Sequence, residues 1–441
     1  MKILFDADIF ARCYKNKKIK SGIFYSYKAI VSNVLSRNGI EVALASFSNS
    51  PKHAKIILRE YDIKTNIINC QNKALTMINK IKLICKDIRT LKKKKLSINA
   101  PIFVIARIFL LTLVSILQII NIFRRNKKDH YTISKYDYFI SYNETIPDII
   151  KKNKNIKKVV ILHDMIPYLF PKETSVIKSK SKIFKTRKKF LKKIRSLDEE
   201  VVIICNSNNT AKDLTDVEPK FKRRNVVIAP FAYDSKQFFP LKASNVKSKT
   251  IEVQKKYKIP TDKSYLLSLC SLSPRKNIDF LIKAFDIFIN KHDFHNKINL
   301  VLSGSEAWQT GDIFKEYESC KARKNIVFTG FIDDEDINYL YNGSDCFVYP
   351  SKYEGFGLPI LEAMACNLPV ITSNNSSMVE VAGDGALLIN PNDTGSLVSA
   401  FEKYFLEDSC REKLIEHSKS NIKKFSWDKT CDIILQSLTN K

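Results

Sequence analysis

Short apolar runs, each ending in a polar or small residue, recur through the first half of the chain with helix-like stretches between them. MKILFDA (residues 1–7) is followed by a loop to Gly22, a helical pattern from about Tyr25 to Arg37, and VALASFS (42–48). After a break the rhythm returns in YDYFISY (136–142), VVILHD (159–164), VVIICNS (201–207) and VVIAPF (226–231). Such alternation predicts βαβ units and a parallel sheet. Ligands of open α/β sheets gather at the carboxyl ends of strands, where His163, Asp164, Asn206 and Ser207 fall. From Asp234 to Ile259 the chain is polar and lysine-rich, with Pro240 and no sustained apolar period, and reads as an interdomain connection. A second βα series follows in SYLLSLCSL (264–272), INLVLSG (298–304), NIVFTG (325–330), CFVYPS (346–351), PVITSN (369–374) and ALLINP (386–391). The expected fold class is α/β, with two Rossmann-like domains at residues 1–235 and 236–424. The stretch 425–441 is expected to be a helix that packs back on the first domain.

Composition narrows the class. The chain has 441 residues, 44% of them hydrophobic and 27% charged, enough apolar material for large cores and too much for wholesale disorder. Ten cysteines without a CxxC pair point to reduced thiols and give no support to a zinc site. The first apolar run is broken at Asp6, which leaves no core for a secretory signal, so the expected location is the cytoplasm.

Charge changes the picture further. Against 45 acidic residues stand 74 Lys and Arg, a formal net charge of +29. Abundant Lys, Ile and Asn throughout fit an AT-rich coding sequence, but the basic residues also cluster. Ten lie between Lys178 and Arg195 with no acidic residue among them, and eight more between Lys80 and Lys95. Such stripes attract anionic lipid or nucleic acid. Between them, inside an insertion at about 72–130, lies the most apolar stretch of the chain, Ile98–Phe123, interrupted by Arg107. Its uncharged part as a helix is roughly 24 Å long, short of the ~30 Å hydrocarbon core. A single crossing would also part strands expected in one sheet. Two readings stay open: a helix lying in the headgroup plane, which would place the protein at the inner face of the cytoplasmic membrane, and an ordinary buried helix.

The richest chemistry is in Tyr349–Pro369, YPSKYEGFGLPILEAMACNLP. A strand runs into a glycine-containing loop and then a helix whose N-terminal N–H groups suit a diphosphate or a sugar hydroxyl. Glu354 lies in that loop and Glu362 one turn into the helix, and a carboxylate is a natural acceptor for vicinal hydroxyls. Either glutamate alone is more ordinary as a solvated or helix-dipole residue.

EGFGLPILEA, with its two glutamates eight positions apart, resembles the E-x7-E signature of retaining nucleotide-sugar glycosyltransferases of the GT-B fold, family 4. SLSPRKNIDFLIKAF (271–285), LVLSGSEAW (300–308), NIVFTGFIDDEDINYLYNGSDCFVYPS (325–351) and PVITSNNSSMVEVAGDGALLINPND (369–393) are similar to further segments of that family, in the same order. In the first half VVILHDMIPYLFP, CNSNNTAKDL and KSGIFYSYKAI resemble its HD-x-IP segment, its serine-containing strand end and its N-terminal glycine loop. The insertion at 72–130 has no counterpart.

The resemblance implies two domains facing a central cleft, and a donor diphosphate bound by Arg275 and Lys276. Glu362 would hold the ribose and Glu354 the transferred sugar. The backbone of Gly355, Phe356, Gly357 and Leu358 would hold sugar and phosphate, Gly22 would let its loop approach the phosphates, and Phe331 and Ile332 would lie by the base. His163, placed at a switch point of its sheet, would sit beside the transferred sugar. Ser271 stands where many members carry a further arginine. No metal is implied: Asp6 and Asp8 form a DxD that closes the first strand, while Asp334 and Asp336 read as helix N-terminal charges. The implied reaction moves a sugar, mannose in the PRKN and HD-x-IP forms, from GDP-mannose or a UDP-sugar to a glycan or lipid-linked acceptor, as in O-antigen or capsule synthesis. The competing readings are a soluble transferase making a small glycoside, an inactive protein of this fold, and a basic nucleic-acid-binding protein. For the last there is no RNA module or interleaving of aromatic and basic residues.

Overall fold

The computed structural model describes residues 1–15, 22–47, 51–70, 128–172, 180–198, 200–223, 226–241, 243–306 and 310–439. The apolar stretch Ile98–Phe123, the Lys80–Lys95 stripe and most of the 72–130 insertion lie outside these residues. Among those described, no helix is long and apolar enough to cross a membrane. The nine described cysteines are all free thiols.

The chain forms two compact units, Met1–Val160 and Ile161–Lys441. The runs read as strands in the sequence are β1 (Lys2–Asp6), β2 (Glu41–Ser46), β4 (Tyr138–Ser141), β5 (Lys157–Leu162), β6 (Val202–Cys205) and β7 (Val226–Ile228). A further short strand, β3 (Asn66–Asn69), joins them in the order β3-β2-β1-β4-β5-β6-β7. Pairing is parallel, with Leu4 opposite Ala43 and Phe139. Ile3, Leu4 and Phe5 are wholly buried, as a parallel sheet covered on both faces requires. The helix Gly22–Leu35 buries Phe24, Tyr27, Ile30, Val31 and Val34, and Tyr27 donates its hydroxyl hydrogen to Ile140 O at 3.0 Å.

This sheet reverses its strand order between β1 and β4. His163 follows β5, one strand beyond that reversal, which corrects the expectation that it lies at a switch point. The returning strand is YDYFISY, so the VVILHD strand is added outside it.

In the second unit six strands, β8 (Ser264–Leu269), β9 (Ile298–Ser303), β10 (Ile326–Gly330), β11 (Cys346–Tyr349), β12 (Val370–Ser373) and β13 (Ala386–Ile389), form a parallel sheet ordered β10-β9-β8-β11-β12-β13. The chain runs outward from β8 to β10, crosses back to β11 and runs outward again. The reversal between β8 and β11 opens a crevice at their carboxyl ends. Helix Ile278–His292 covers one face with Leu281, Phe285 and Phe288, the last packed on Phe401.

The segment read as a polar connection instead contains a helix, Ala243–Lys256. Its apolar period is faint because polar contacts hold its end: Lys256 Nζ bridges Asp333 at 2.8 Å and Asp336 at 2.5 Å, and Tyr257 donates to Asp336 at 2.7 Å. Asp336 is thereby buried rather than a simple helix-end charge. The last helix, Trp427–Thr439, packs on β6 and β7. Trp427 packs tilted against Phe231 with ring centres 5.6 Å apart, and Thr430 donates to Pro230 O at 2.5 Å.

Candidate active site

The loops after β8 and β11 meet at the strand reversal. After β8, Pro274 opens a single 3-10 turn, Pro274–Lys276, that ends at Asn277 in the left-handed region (φ 61°). Asn277 is anchored by its amide to Pro391 O at 2.8 Å, and Lys352 N–H donates to Arg275 O at 2.8 Å, tying the two loops together. Arg275 Nη1 lies 2.8 Å and Lys276 Nζ 2.6 Å from the same oxygen, Glu354 Oε1. Lys276 also donates to the Tyr349 hydroxyl and Arg275 to Tyr353 O.

The three charged side chains are buried, with 16%, 9% and 9% of their surfaces exposed. Burial opposes the charge of Glu354, but Lys276 and Arg275 outweigh it and hold the carboxyl down to about 2. Burial and the neighbouring guanidinium lower Lys276, while Glu354 keeps Arg275 raised against its own burial. The cluster carries a net positive charge at a sheet switch point, an arrangement suited to a polyanionic group.

Close packing fixes the loop that carries Glu354. A Cβ on Gly355 would lie 2.4 Å from His163 O and 2.6 Å from Asp164 Cβ, so only glycine fits there. Gly357 adopts φ 104° and turns the chain into helix Leu358–Ala365. Ser376 accepts Glu354 N–H at 3.1 Å, and Ser377 lies 2.9 Å from the carbonyls of Glu354 and Phe356. On the other side Ser207 Oγ donates to Gly355 O at 2.8 Å, and Thr210 Oγ1 approaches it at 3.1 Å. Ser207 also caps helix Asn208–Val217. Glu380 reaches that helix end as well, accepting from Asn208 N at 3.0 Å, Asn208 Nδ2 at 2.8 Å and Asn209 N at 3.1 Å.

His163 leaves β5 with its carbonyl bonded by Asn206 Nδ2 at 2.9 Å and its ring edge-on to Phe231. Asp164 accepts Ile166 N–H at 2.9 Å. Glu362, on the helix beyond Gly357, accepts from the Tyr341 hydroxyl at 3.0 Å, and burial pushes its carboxyl up to about 7.

Known proteins resemble this chain in sequence and in fold. Residues 249–421 match the family model described as Glycosyl transferases group 1. HepE from Anabaena, solved with UDP and glucose, covers 100% of both chains with a TM-score of 0.65 at 16% identity. The chain has the GT-B fold, and its second half is similar to the group 1 glycosyltransferases. The O-antigen chain mannosyltransferase B of Escherichia coli is 36% identical over 178 residues, 40% of this chain and 46% of that protein. The serotype-specific mannosyltransferase WbdA, also of Escherichia coli, is 29% identical over 312 residues, 70% of this chain and 36% of that protein. The chain thus spans less than half the length of these two relatives.

Within this GT-B relative the residues singled out in the sequence fall into three groups. Arg275, Lys276 and Glu354 touch directly, and Gly355 packs on His163. Phe356, Gly357 and Leu358 form the turn into the Glu362 helix, while Glu362 itself contacts Tyr341 rather than the charged trio. Phe331, 48% exposed, and the buried Ile332 follow β10. Gly22 is the exposed first residue of helix Gly22–Leu35 in the other unit rather than part of a described loop. Sequence reasoning passed over Tyr341, Tyr349, Ser377 and Glu380. Tyr349 and Tyr341 sit in strand and helix patterns where an aromatic reads as core, and only their hydroxyl partners reveal more. Among the described residues no group of three His, Cys, Asp or Glu is placed to hold a metal ion.

Proposed function

We propose that this protein transfers a sugar from a nucleoside diphosphate to an acceptor hydroxyl with retention of anomeric configuration, in the assembly of a bacterial surface polysaccharide. The observation that carries the reading is the buried Arg275–Lys276–Glu354 cluster at the β8/β11 reversal. The cationic pair meets the donor diphosphate and Glu354 turns to the hydroxyls of the transferred sugar. Backbone groups of Gly355 to Leu358 receive sugar and phosphate oxygens, and Glu362 the ribose diol. Phe331 and Ile332 flank the base. His163 stands beside the sugar.

In the reaction, the acceptor oxygen bonds to the anomeric carbon as the bond from that carbon to the phosphate oxygen breaks. The acceptor proton passes to the departing phosphate on the same face, while Arg275 and Lys276 stabilise the charge that develops there. The mannosyltransferases among the relatives support mannose as the sugar, with GDP-mannose as the proposed donor. The UDP-bound relative supports a UDP-sugar as the alternative donor.

The acceptor is a glycan or lipid-linked oligosaccharide, met at an anionic membrane surface. The helix Lys180–Arg195 supports that setting: Phe190 and Ile194 are buried beneath it, while Lys185, Lys188, Lys189, Lys192 and a 65%-exposed Phe184 face outward.

Incubation with GDP-mannose and a panel of UDP-sugars, in the presence of bacterial membrane extract as acceptor source, tests the reading. One donor is consumed, and proton NMR of the product shows the donor's anomeric configuration. Inversion removes the retaining mechanism, and no turnover or nucleotide binding with any donor removes the function.

A further inference from the structure

Two buried phenols stand behind the charged groups of this site. Tyr349, at the end of β11, receives a hydrogen bond from Lys276, whose ammonium also lies 4.7 Å from the centre of its ring. Its hydroxyl in turn faces Glu354, so phenol, ammonium and carboxylate form a closed triangle. Tyr341, on helix Asp334–Gly343, donates to Glu362 at 3.0 Å. The phenols are linked through Phe347, which meets Tyr341 edge-on at 5.4 Å and stacks on Tyr349 at 5.7 Å. Both rings are sealed in the core, at 0% and 2% exposure, and the Tyr349 backbone oxygen is held by Thr372 at 2.8 Å. Lysine and glutamate side chains carry large rotamer freedom. Here each is tied to a rigid ring on the central strand or the helix beside it.

Taking the proposed donor site as given, we propose that Tyr341 and Tyr349 are positioning residues for it. Tyr341 aims Glu362 at the ribose and sustains its ionised form; Tyr349 aims Lys276 at the diphosphate. The groups around Glu362 make the first half readable by pH. Asp234 and Asp334 act on it electrostatically, as it does on the thiol of Cys366, and the Tyr341 hydroxyl is its hydrogen-bond donor. Without that donor the carboxyl stays protonated to higher pH, and its hold on a vicinal diol weakens at neutrality.

Tyr341→Phe and Tyr349→Phe keep the rings and remove only the hydroxyls. Titration of the intact protein with UDP and GDP from about pH 5 to pH 9, with kinetics on the active donor, separates the roles. For Tyr341→Phe the expected result is nucleotide binding weakened about tenfold at pH 7, recovered at higher pH, with its inflection moved upward. For Tyr349→Phe kcat falls about tenfold with little change in donor KM. Wild-type binding and pH profile in Tyr341→Phe, or wild-type kcat in Tyr349→Phe, overturns the inference and leaves the site intact. So does a loss that only follows a lower melting temperature. Wild-type protein that binds neither nucleotide overturns the donor site itself.

Discussion

Glu354 holds two cations that the proposed mechanism assigns to a phosphate, and this decides how its variants behave. Glu354→Ala leaves Arg275 and Lys276 buried side by side without a counter-charge, a loss of about 3–5 kcal/mol for breaking such a pair. A bound nucleoside diphosphate supplies the missing negative charge. Melting temperature in Glu354→Ala therefore falls well below wild type, and saturating UDP or GDP raises it by more than it raises the wild type. Turnover in Glu354→Ala and Lys276→Ala drops by orders of magnitude, measured as donor consumption per folded molecule; near-normal rates in both would falsify the site assignment. The two signature glutamates also titrate in opposite directions. Glu354 is held down to about 2 from 4.5, so its stabilising contribution is complete above the ordinary carboxylate range and is lost as pH falls toward 2. Glu362 is raised from 4.5 to about 7, so the native state prefers it neutral and loses stability as pH rises through that window. Glu362→Gln flattens the pH dependence of unfolding between those values, readable by urea titration.

At the scale of elements, the site depends on loops held from both sides. The turn after β11 is clasped by Ser376 and Ser377 on one flank and by Ser207 and Thr210 on the other, with Gly355 against the His163 backbone. Because a methyl at Gly355 would sit 2.4 Å from a carbonyl oxygen that cannot rotate away, Gly355→Ala displaces this turn. Activity is lost more steeply than stability, and circular dichroism melts beside turnover measure the two. Glu380 acts on an element distant in sequence, filling the N-terminus of helix Asn208–Val217. Glu380→Ala costs about 1.5–3 kcal/mol, the range for hydrogen bonds to a charged group, measured by denaturant unfolding. The strands were legible beforehand because each is an apolar run ended by a polar residue. β3 was not, since it is four residues long with asparagine at both ends. Helix Ala243–Lys256 was missed because ion pairs rather than an apolar stripe fasten its end.

At the scale of the whole molecule, the +29 charge bears on association. If the exposed lysines of helix Lys180–Arg195 dock the protein on anionic lipid, each is worth about 1 kcal/mol near the surface, or about a fivefold change in partition. Replacing Lys185, Lys188, Lys189 and Lys192 by Gln weakens cosedimentation with phosphatidylglycerol vesicles accordingly. Removal of residues 72–130 weakens it in a salt-insensitive way, through lost apolar burial. Equal binding by all three proteins dismisses the membrane reading. What the linear chain determined by itself was the rhythm of two βα series and the motif of glycines, glutamates and the Arg-Lys pair, because strand periodicity and loop chemistry are local. Only the tertiary structure decided that β8 and β11 become neighbours, bringing residues 275, 276 and 354 onto one oxygen. It also set His163 away from its sheet's reversal and paired the hydroxyls of Tyr349 and Tyr341 with Lys276 and Glu362. Strand order and hydroxyl partners depend on which distant segments pack together, and no local pattern encodes that.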